Sequence, residues 1–63
     1  MCQMSIVVEK NNQQEKIMEN VNLLEVTEEG IVVSTLFEEP RLLRDKEIKQ
    51  INFLDGLVTL KDK

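Results

Sequence analysis

Residues 28–40 read EEGIVVSTLFEEP, and this stretch decides the fold that the sequence predicts. The β-branched side chains of Ile31–Val33 fit the pleated surface of a sheet better than they fit a helix. Gly30 can adopt the positive φ of a tight hairpin turn, whereas Pro40 lacks the amide donor that the interior of a strand needs. The stretch therefore predicts a strand over residues 31–37 that follows a hairpin and ends before a proline.

Weaker β-type runs precede this strand. Side chains alternate with a period of two over residues 4–9, which indicates a first strand. The polar residues 11–14 break this run, because asparagine tolerates the left-handed backbone of tight turns. Residues 16–19 and 24–27 predict a second and a third strand, separated by a kink at residues 20–22.

The C-terminal part of the chain contains one ambiguous stretch. Residues 41–52 fit both helical spacing and strand alternation, and we favour a loop or one helical turn that leads into a strand near Lys49–Phe53. Asp55-Gly56 is the best two-residue hairpin signal in the chain, and residues 57–60 follow it as a further strand. About six short strands joined by tight turns predict an all-β fold, a small barrel whose closure removes exposed sheet edges.

The length of 63 residues allows one domain with a small core. A chain of this size buries only about 60% of the surface that its unfolded form exposes, so its stability is marginal. The single cysteine excludes an internal disulfide, and oligomerisation is then the simplest further source of stability. We therefore predict a homodimer.

The net charge limits the kinds of molecule that the protein is expected to bind. Lys and Arg number 8 against 12 for Asp and Glu, and the net charge of −4 repels a phosphate backbone. No apolar run approaches the roughly 20 residues that span a membrane, and residues 1–4 lack the basic and apolar regions of a signal peptide. A lone thiol is chemically stable in a reducing compartment. We therefore expect a cytoplasmic protein that has no membrane partner and for which nucleic acid is a disfavoured partner.

Most catalytic arrangements are absent from the sequence. The chain has no histidine, so Ser-His-Asp and Cys-His units are excluded, and its two glycines lie too far apart for a phosphate-binding loop. The carboxylate pairs Glu28-Glu29 and Glu38-Glu39 fall at predicted turns, where solvated charge is the ordinary interpretation. We therefore predict that the protein is not an enzyme.

Cys2 is the one residue whose position favours a chemical role. A thiol at the N-terminus lies beside the α-amine, which coordinates metals once it is deprotonated. With Met1 retained, its amine, the Cys2 amide and the Cys2 thiolate form two fused chelate rings; with Met1 removed, the Cys2 amine and thiolate form one. Nitrogen with soft sulfur suits Ni(II) or Cu(II), and a dimer that brought two N-termini together would supply two donors of each kind. The predicted metal ligands are therefore Cys2 and Met1.

A structural role for Cys2 is the alternative. A lone cysteine is commonly a small buried hydrophobe, and Cys2 shares strand parity with Met4. Met1, Met4 and Met18 are likewise expected mainly in the core or at the terminus. The residues alone leave both interpretations of Cys2 open.

Three segments together resemble the CooT family: the Met1-Cys2 start, residues 33–39 (VSTLFEE) and residues 55–60 (DGLVTL). CooT proteins are small nickel-binding accessory proteins linked to the maturation of carbon monoxide dehydrogenase, and the resemblance covers essentially the whole chain as one domain. It implies a small SH3-like β-barrel, a homodimer, and a metallochaperone-like function in which Ni(II) is bound through Cys2. A nickel enzyme such as carbon monoxide dehydrogenase is the implied partner. Chaperones of the HypC type share the Met-Cys start, but they are longer and usually carry a histidine.

Two other functions stay open. Many CooT proteins carry an older label as predicted RNA-binding proteins, although this chain is acidic and has only two aromatic residues for base stacking. Its basic cluster is interrupted by acidic residues and is interpreted as a solvated surface; it consists of Arg41, Arg44, Lys46 and Lys49. The remaining possibility is a protein-interaction module that docks on a larger enzyme without holding metal.

Overall fold

The computed structural model describes residues 3–63, and these residues fold entirely as strands, turns and loops. The strands are β1 (Met4–Lys10), β2 (Gln13–Val26), β3 (Gly30–Thr35), β4 (Arg41–Arg44), β5 (Lys46–Asn52) and β6 (Leu57–Asp62). The all-β prediction is confirmed. Across the described range, no helix is present that is long and apolar enough to cross a bilayer.

All six strands belong to one sheet with the order β4-β3-β2-β1-β6-β5. Neighbouring strands are antiparallel, except that β1 and β6 run parallel. The sheet curls so far that β3 and β5, which are not neighbours in it, come into contact. The described residues therefore form a curled half-barrel in which β4 and β5 are the edges. The closed barrel without exposed sheet edges that the sequence predicted is thus found only in part.

The long strand β2 produces this curl. Its first half pairs with β1, from Gln13 opposite Lys10 to Val21 opposite Met4, and its second half pairs with β3. The ladders are irregular on both sides of Val21, and Asn20 has a φ of 60°. A kink was expected at this point and is found, but the expected division into two separate strands is wrong, because backbone pairing continues through the bend.

The turns explain why the strands begin where they do. Asn11 and Asn12 have φ values of 54° and 65° and join β1 to β2 as a two-residue hairpin turn of the kind that asparagine favours. Gly30 has a φ of 152°, and a Cβ atom there would overlap the backbone carbonyl of Leu43 on β4. The close approach of β3 and β4 therefore requires glycine at this position.

The structure of residues 41–52 differs from the sequence prediction at both of its parts, the expected loop or helical turn and the strand that follows it. They form β4 and β5, rather than a loop or helical turn before a strand near Lys49–Phe53. Leu42 and Leu43 pair with β3, and Asp45 separates the two strands with a φ of 57°, which a continuing helix cannot contain. Tertiary pairing with β3 thus decides between the two periodicities that the sequence left open.

The core lies inside the curl and is small. Its buried members come from four strands and are Ile6, Val21, Ile31, Val33, Val58 and Leu60. Met4, Met18, Leu43 and Ile48 are among the half-buried residues that pack around them. Both phenylalanines of the chain lie outside this core and are exposed. Exposed aromatic side chains in so small a domain indicate surfaces that another molecule can cover.

Candidate functional site

The first strand begins beside the loop that joins β5 to β6. The Ser5 amide donates a hydrogen bond of 2.8 Å to the Gly56 carbonyl, and Ser5 pairs with Leu57 in the parallel ladder. The predicted metal ligands Met1 and Cys2 lie outside the described residues. Gln3 is the point at which the segment that carries them joins the described fold.

Gly56 lets the two chain segments approach each other closely. Its φ is 66°, and a Cβ atom there would lie 3.3 Å from the Gln3 carbonyl oxygen and 3.9 Å from the Met4 sulfur. Glycine adopts this left-handed backbone without steric strain. The hairpin predicted at Asp55-Gly56 is therefore confirmed, although its loop contains the four residues 53–56.

The loop between β5 and β6 is braced by side-chain hydrogen bonds. The Asp55 amide donates to Asn52 Oδ1 at 2.9 Å, and Asn52 Nδ2 donates to Asp55 Oδ2 at 3.2 Å. Phe53 and Leu54 lie between these residues and are 79% and 94% exposed. We call Phe53 and Leu54 the β5–β6 tip. It presents two large apolar side chains on the loop that contacts the start of β1 through Gly56.

A shallow apolar hollow of about 170 Å³ opens on the inner face of the curled sheet. It is lined by Met4, Ile6, Val21, Asn22, Leu23, Leu24 and Val58. The hollow lies where β1 ends its pairing with β2, so the second half of β2 has a free edge on this side. The half-buried Met4 brings a thioether sulfur to this hollow.

Residues 3–63 contain no group of three or more Cys, Asp or Glu side chains arranged to hold a metal ion. This search does not reach Met1 and Cys2. The assignment of these two residues as metal ligands therefore stays a prediction.

The basic cluster predicted from the sequence is largely paired with carboxylates. Arg44 Nη1 lies 3.6 Å from Glu29 Oε2, and the Lys49 ammonium is paired with the Glu9 carboxylate. Lys46 is paired with Asp62, and its hydrogen bond and positive charge lower the pKa of that carboxyl below its ordinary 3.8. A phosphate backbone would have to compete with these internal carboxylates for the same side chains.

The loop between β3 and β4 carries a second apolar pair. Thr35 Oγ1 accepts hydrogen bonds from the Phe37 amide at 3.2 Å and the Glu38 amide at 3.1 Å. Leu36 and Phe37, which we call the β3–β4 tip, are 71% and 87% exposed. The strand predicted over residues 31–37 therefore ends at Thr35, because its hydroxyl turns the following backbone out of the sheet.

Sequence reasoning missed the β3–β4 tip as a surface feature, because it placed Leu36 and Phe37 inside a strand. A signal was present, since a threonine hydroxyl can close a turn with the amides two and three residues later. The acidic residues Glu38 and Glu39 directly after Phe37 fit the same interpretation.

Comparisons with known proteins agree with this geometry. The profile of the family described as CO dehydrogenase accessory protein CooT matches residues 1–61. The crystal structure of a candidate CooT from Carboxydothermus hydrogenoformans is 24% identical in sequence, covers 98% of each chain and has a TM-score of 0.87. At this identity the structural similarity shows that the fold is shared. A comparison with curated proteins gives no match.

Proposed function

Because this chain belongs to the CooT family of CO dehydrogenase accessory proteins, we propose that it binds Ni(II) for the maturation of a nickel enzyme such as carbon monoxide dehydrogenase. The observation that carries this proposal is the lone thiol at Cys2, which lies inside the range that the family profile matches. The protein acts by holding and passing on the metal, and we assign it no catalytic step of its own.

The donor set of the N-terminus fits nickel as cargo. Cys2 supplies a thiolate, and either Met1 or Cys2 supplies an amine nitrogen, depending on whether Met1 is retained. Soft sulfur combined with nitrogen suits Ni(II), whereas Mg²⁺ and Ca²⁺ prefer sets of oxygen ligands. A reducing cytoplasm would keep the thiol free for this role.

One chain supplies too few ligands of this kind for a closed site, so we propose a homodimer. Its support is the β5–β6 tip, whose Phe53 and Leu54 are exposed on the same loop that contacts the start of β1 through Gly56. If the two tips of a dimer covered each other, the two N-terminal segments would approach from the same side. We further propose that each half-barrel is of the SH3-like type.

Proton competition sets the pH dependence of this binding. A thiol with an ordinary pKa near 8.5 and an α-amine near 8 must both lose their protons to coordinate the metal. Nickel affinity should therefore fall as the pH is lowered from about 8 to 6.

Nickel titration of wild type and Cys2→Ser tests the metal site directly. We expect Cys2→Ser to lose at least tenfold in affinity, because an alcohol does not replace a thiolate as a soft ligand. Gln14→Ser is the matched control, since it introduces the same side chain at an exposed position of β2. Equal affinity of wild type and Cys2→Ser would remove Cys2 from the site.

A small RNA-binding barrel is the alternative function, and the described surface disfavours it. The net charge is −4, and Arg44, Lys46 and Lys49 are each paired with a carboxylate. A gel-shift assay with mixed RNA at low salt tests whether the protein binds RNA, and we expect no shifted band.

A further inference from the structure

We infer that the β3–β4 tip is a docking site for a protein whose surface has an apolar pocket bordered by Lys or Arg side chains. The inference rests on the proposed accessory function: the partner is the nickel enzyme that receives the metal. To that function it adds the surface that contacts the enzyme and the apolar and acidic side chains that recognise it.

The tip is held in place before any partner arrives. Thr35 Oγ1 accepts two backbone hydrogen bonds, from the Phe37 and Glu38 amides, and so fixes the loop at its base. Ordering a loop on binding lowers affinity, and a loop that is already ordered avoids much of this loss. Phe37 and Leu36 are then presented as a fixed apolar anchor rather than as part of a mobile segment.

Large apolar side chains are effective anchors only when a partner removes them from water. Burying a side chain the size of Phe or Leu against a partner removes its apolar surface from water and so stabilises the complex. Interfaces draw most of their affinity from a few such residues in well-packed pockets. The partner surface at this point must therefore contain a pocket that receives Phe37.

Acidic side chains surround this anchor. Glu38 and Glu39 follow Phe37 directly and form no ion pair within residues 3–63. Glu19, which pairs with Lys16 at 3.2 Å, shares with this tip a hollow of about 250 Å³ that is lined by Glu19, Asn20, Thr35, Phe37 and Glu38. The uncompensated negative charge beside Phe37 is therefore that of Glu38 and Glu39. Arg41 is the nearest basic residue along the chain, at the start of β4. The negative charges beside Phe37, which we call the rim of the β3–β4 tip (Glu38 and Glu39), favour a partner surface that is positively charged around its pocket.

The same charges disfavour binding of a second copy of the chain or of a nucleic acid at the β3–β4 tip. In a twofold contact between copies, identical patches face each other, so the glutamates of one tip would lie against those of the other. A phosphate backbone carries the same sign of charge as the rim and would also be repelled. The loop that carries the β5–β6 tip, residues 53–56, differs because it contains a single acidic residue, Asp55, whose carboxylate accepts a hydrogen bond from Asn52 Nδ2.

The test measures binding of the full chain to purified, nickel-free carbon monoxide dehydrogenase from the organism that encodes it. We expect Phe37→Ser to weaken the complex roughly 30-fold or more, as loss of a central anchor does. Val26→Ser is the matched control, because Val26 is 65% exposed and lies on β2 rather than on the tip. Circular dichroism should show both variants folded, since each changes an exposed side chain.

Two results would overturn the inference. One is the absence of binding by wild type, and the other is equal affinity of Phe37→Ser and Val26→Ser for the enzyme. Cys2→Ser separates this proposal from the metal proposal, because it should bind the enzyme as wild type does while losing nickel. If Cys2→Ser kept its nickel affinity, the metal site would fail and the docking surface would stand. If Phe37→Ser kept its enzyme affinity, the docking surface would fail and the metal site would stand.

Discussion

The two apolar tips are built alike but differ in their electrostatic surroundings. Each presents two large side chains on a loop that a polar residue braces: Thr35 for the β3–β4 tip and Asn52 for the β5–β6 tip. The first is followed by Glu38 and Glu39, which form no ion pair within residues 3–63. The second lies on a loop that contacts the start of β1 through Gly56 and contains one carboxylate, that of Asp55, which accepts a hydrogen bond from Asn52. We therefore propose that the two tips contact different partners, and that the charge beside each tip determines whether a second copy or another protein binds there.

Charge introduced at the β5–β6 tip should have the largest effect. We expect Leu54→Asp to raise the dimer dissociation constant at least 30-fold, about 2 kcal/mol, because a twofold contact would bury two new carboxylates against each other. Sedimentation velocity at several protein concentrations measures this change. Phe37→Asp is the control at the other tip, and we expect it to leave the dimer intact. Equal dissociation by both variants would contradict the division of roles.

Reversing the rim of the β3–β4 tip should have the next largest effect. Glu38→Lys combined with Glu39→Lys should weaken binding to the nickel enzyme about tenfold at low salt and make it less dependent on salt. Association rates at 50 and 300 mM NaCl measure this directly. The double variant Glu15→Lys/Glu25→Lys carries the same charge change at two exposed positions of β2 that form no ion pair within residues 3–63, and it should behave as wild type. Equal losses in the two double variants would mean that net charge matters rather than the rim.

Removing the brace of either loop should have a smaller effect. Thr35→Val keeps the shape of the side chain but removes an acceptor of two amide hydrogen bonds, and Asn52→Ala removes the brace of the other loop. Each should lower the free energy of unfolding by about 0.5–1.5 kcal/mol, which urea denaturation measures. Thr35→Val should weaken only the enzyme complex, and Asn52→Ala only the dimer. Crossed effects would show that the two tips are coupled.

The smallest effect is expected at the opposite end of β6 from the β5–β6 tip. The Lys46–Asp62 pair holds the pKa of Asp62 below 3.8, so it stabilises the fold above that pH, and the contribution is lost as the pH falls through the lowered value. Asp62→Asn should therefore reduce stability slightly at pH 7 and flatten acid unfolding below pH 4. Both tips should keep their binding, because neither contains these residues. An acid-unfolding curve unchanged by the substitution would contradict this account of the pair.

Alternation and turn residues predicted much of the fold. The strand around Ile31–Val33 and the hairpins at Gly30 and Gly56 follow from β-branched packing and from glycine geometry, which act locally. Local signals did not predict β4, because Leu42 and Leu43 become a strand only through pairing with β3. The continuity of β2 through its bend was missed for the same reason, since different strands pair with its two halves.

The candidate functional residues also differ in whether the sequence alone could identify them. Cys2 could be singled out from sequence because its chemistry depends on its position near an amine rather than on folding. The two tips could not, because the exposure of Phe37 and Phe53 depends on where β3 and β5 end. Phenylalanine is ordinarily expected in a core, and only the folded chain shows that this core is built without either one.

Native mass spectrometry of the full chain with and without Ni(II) tests the central claim most directly. It reports subunit number, retention of Met1 and the number of bound metal ions in one spectrum. We predict a dimer that gains nickel in wild type, and a Cys2→Ser dimer that does not. A monomer that binds nickel, or a Cys2→Ser dimer that binds as much nickel as wild type, would contradict a site formed by Cys2 between two subunits.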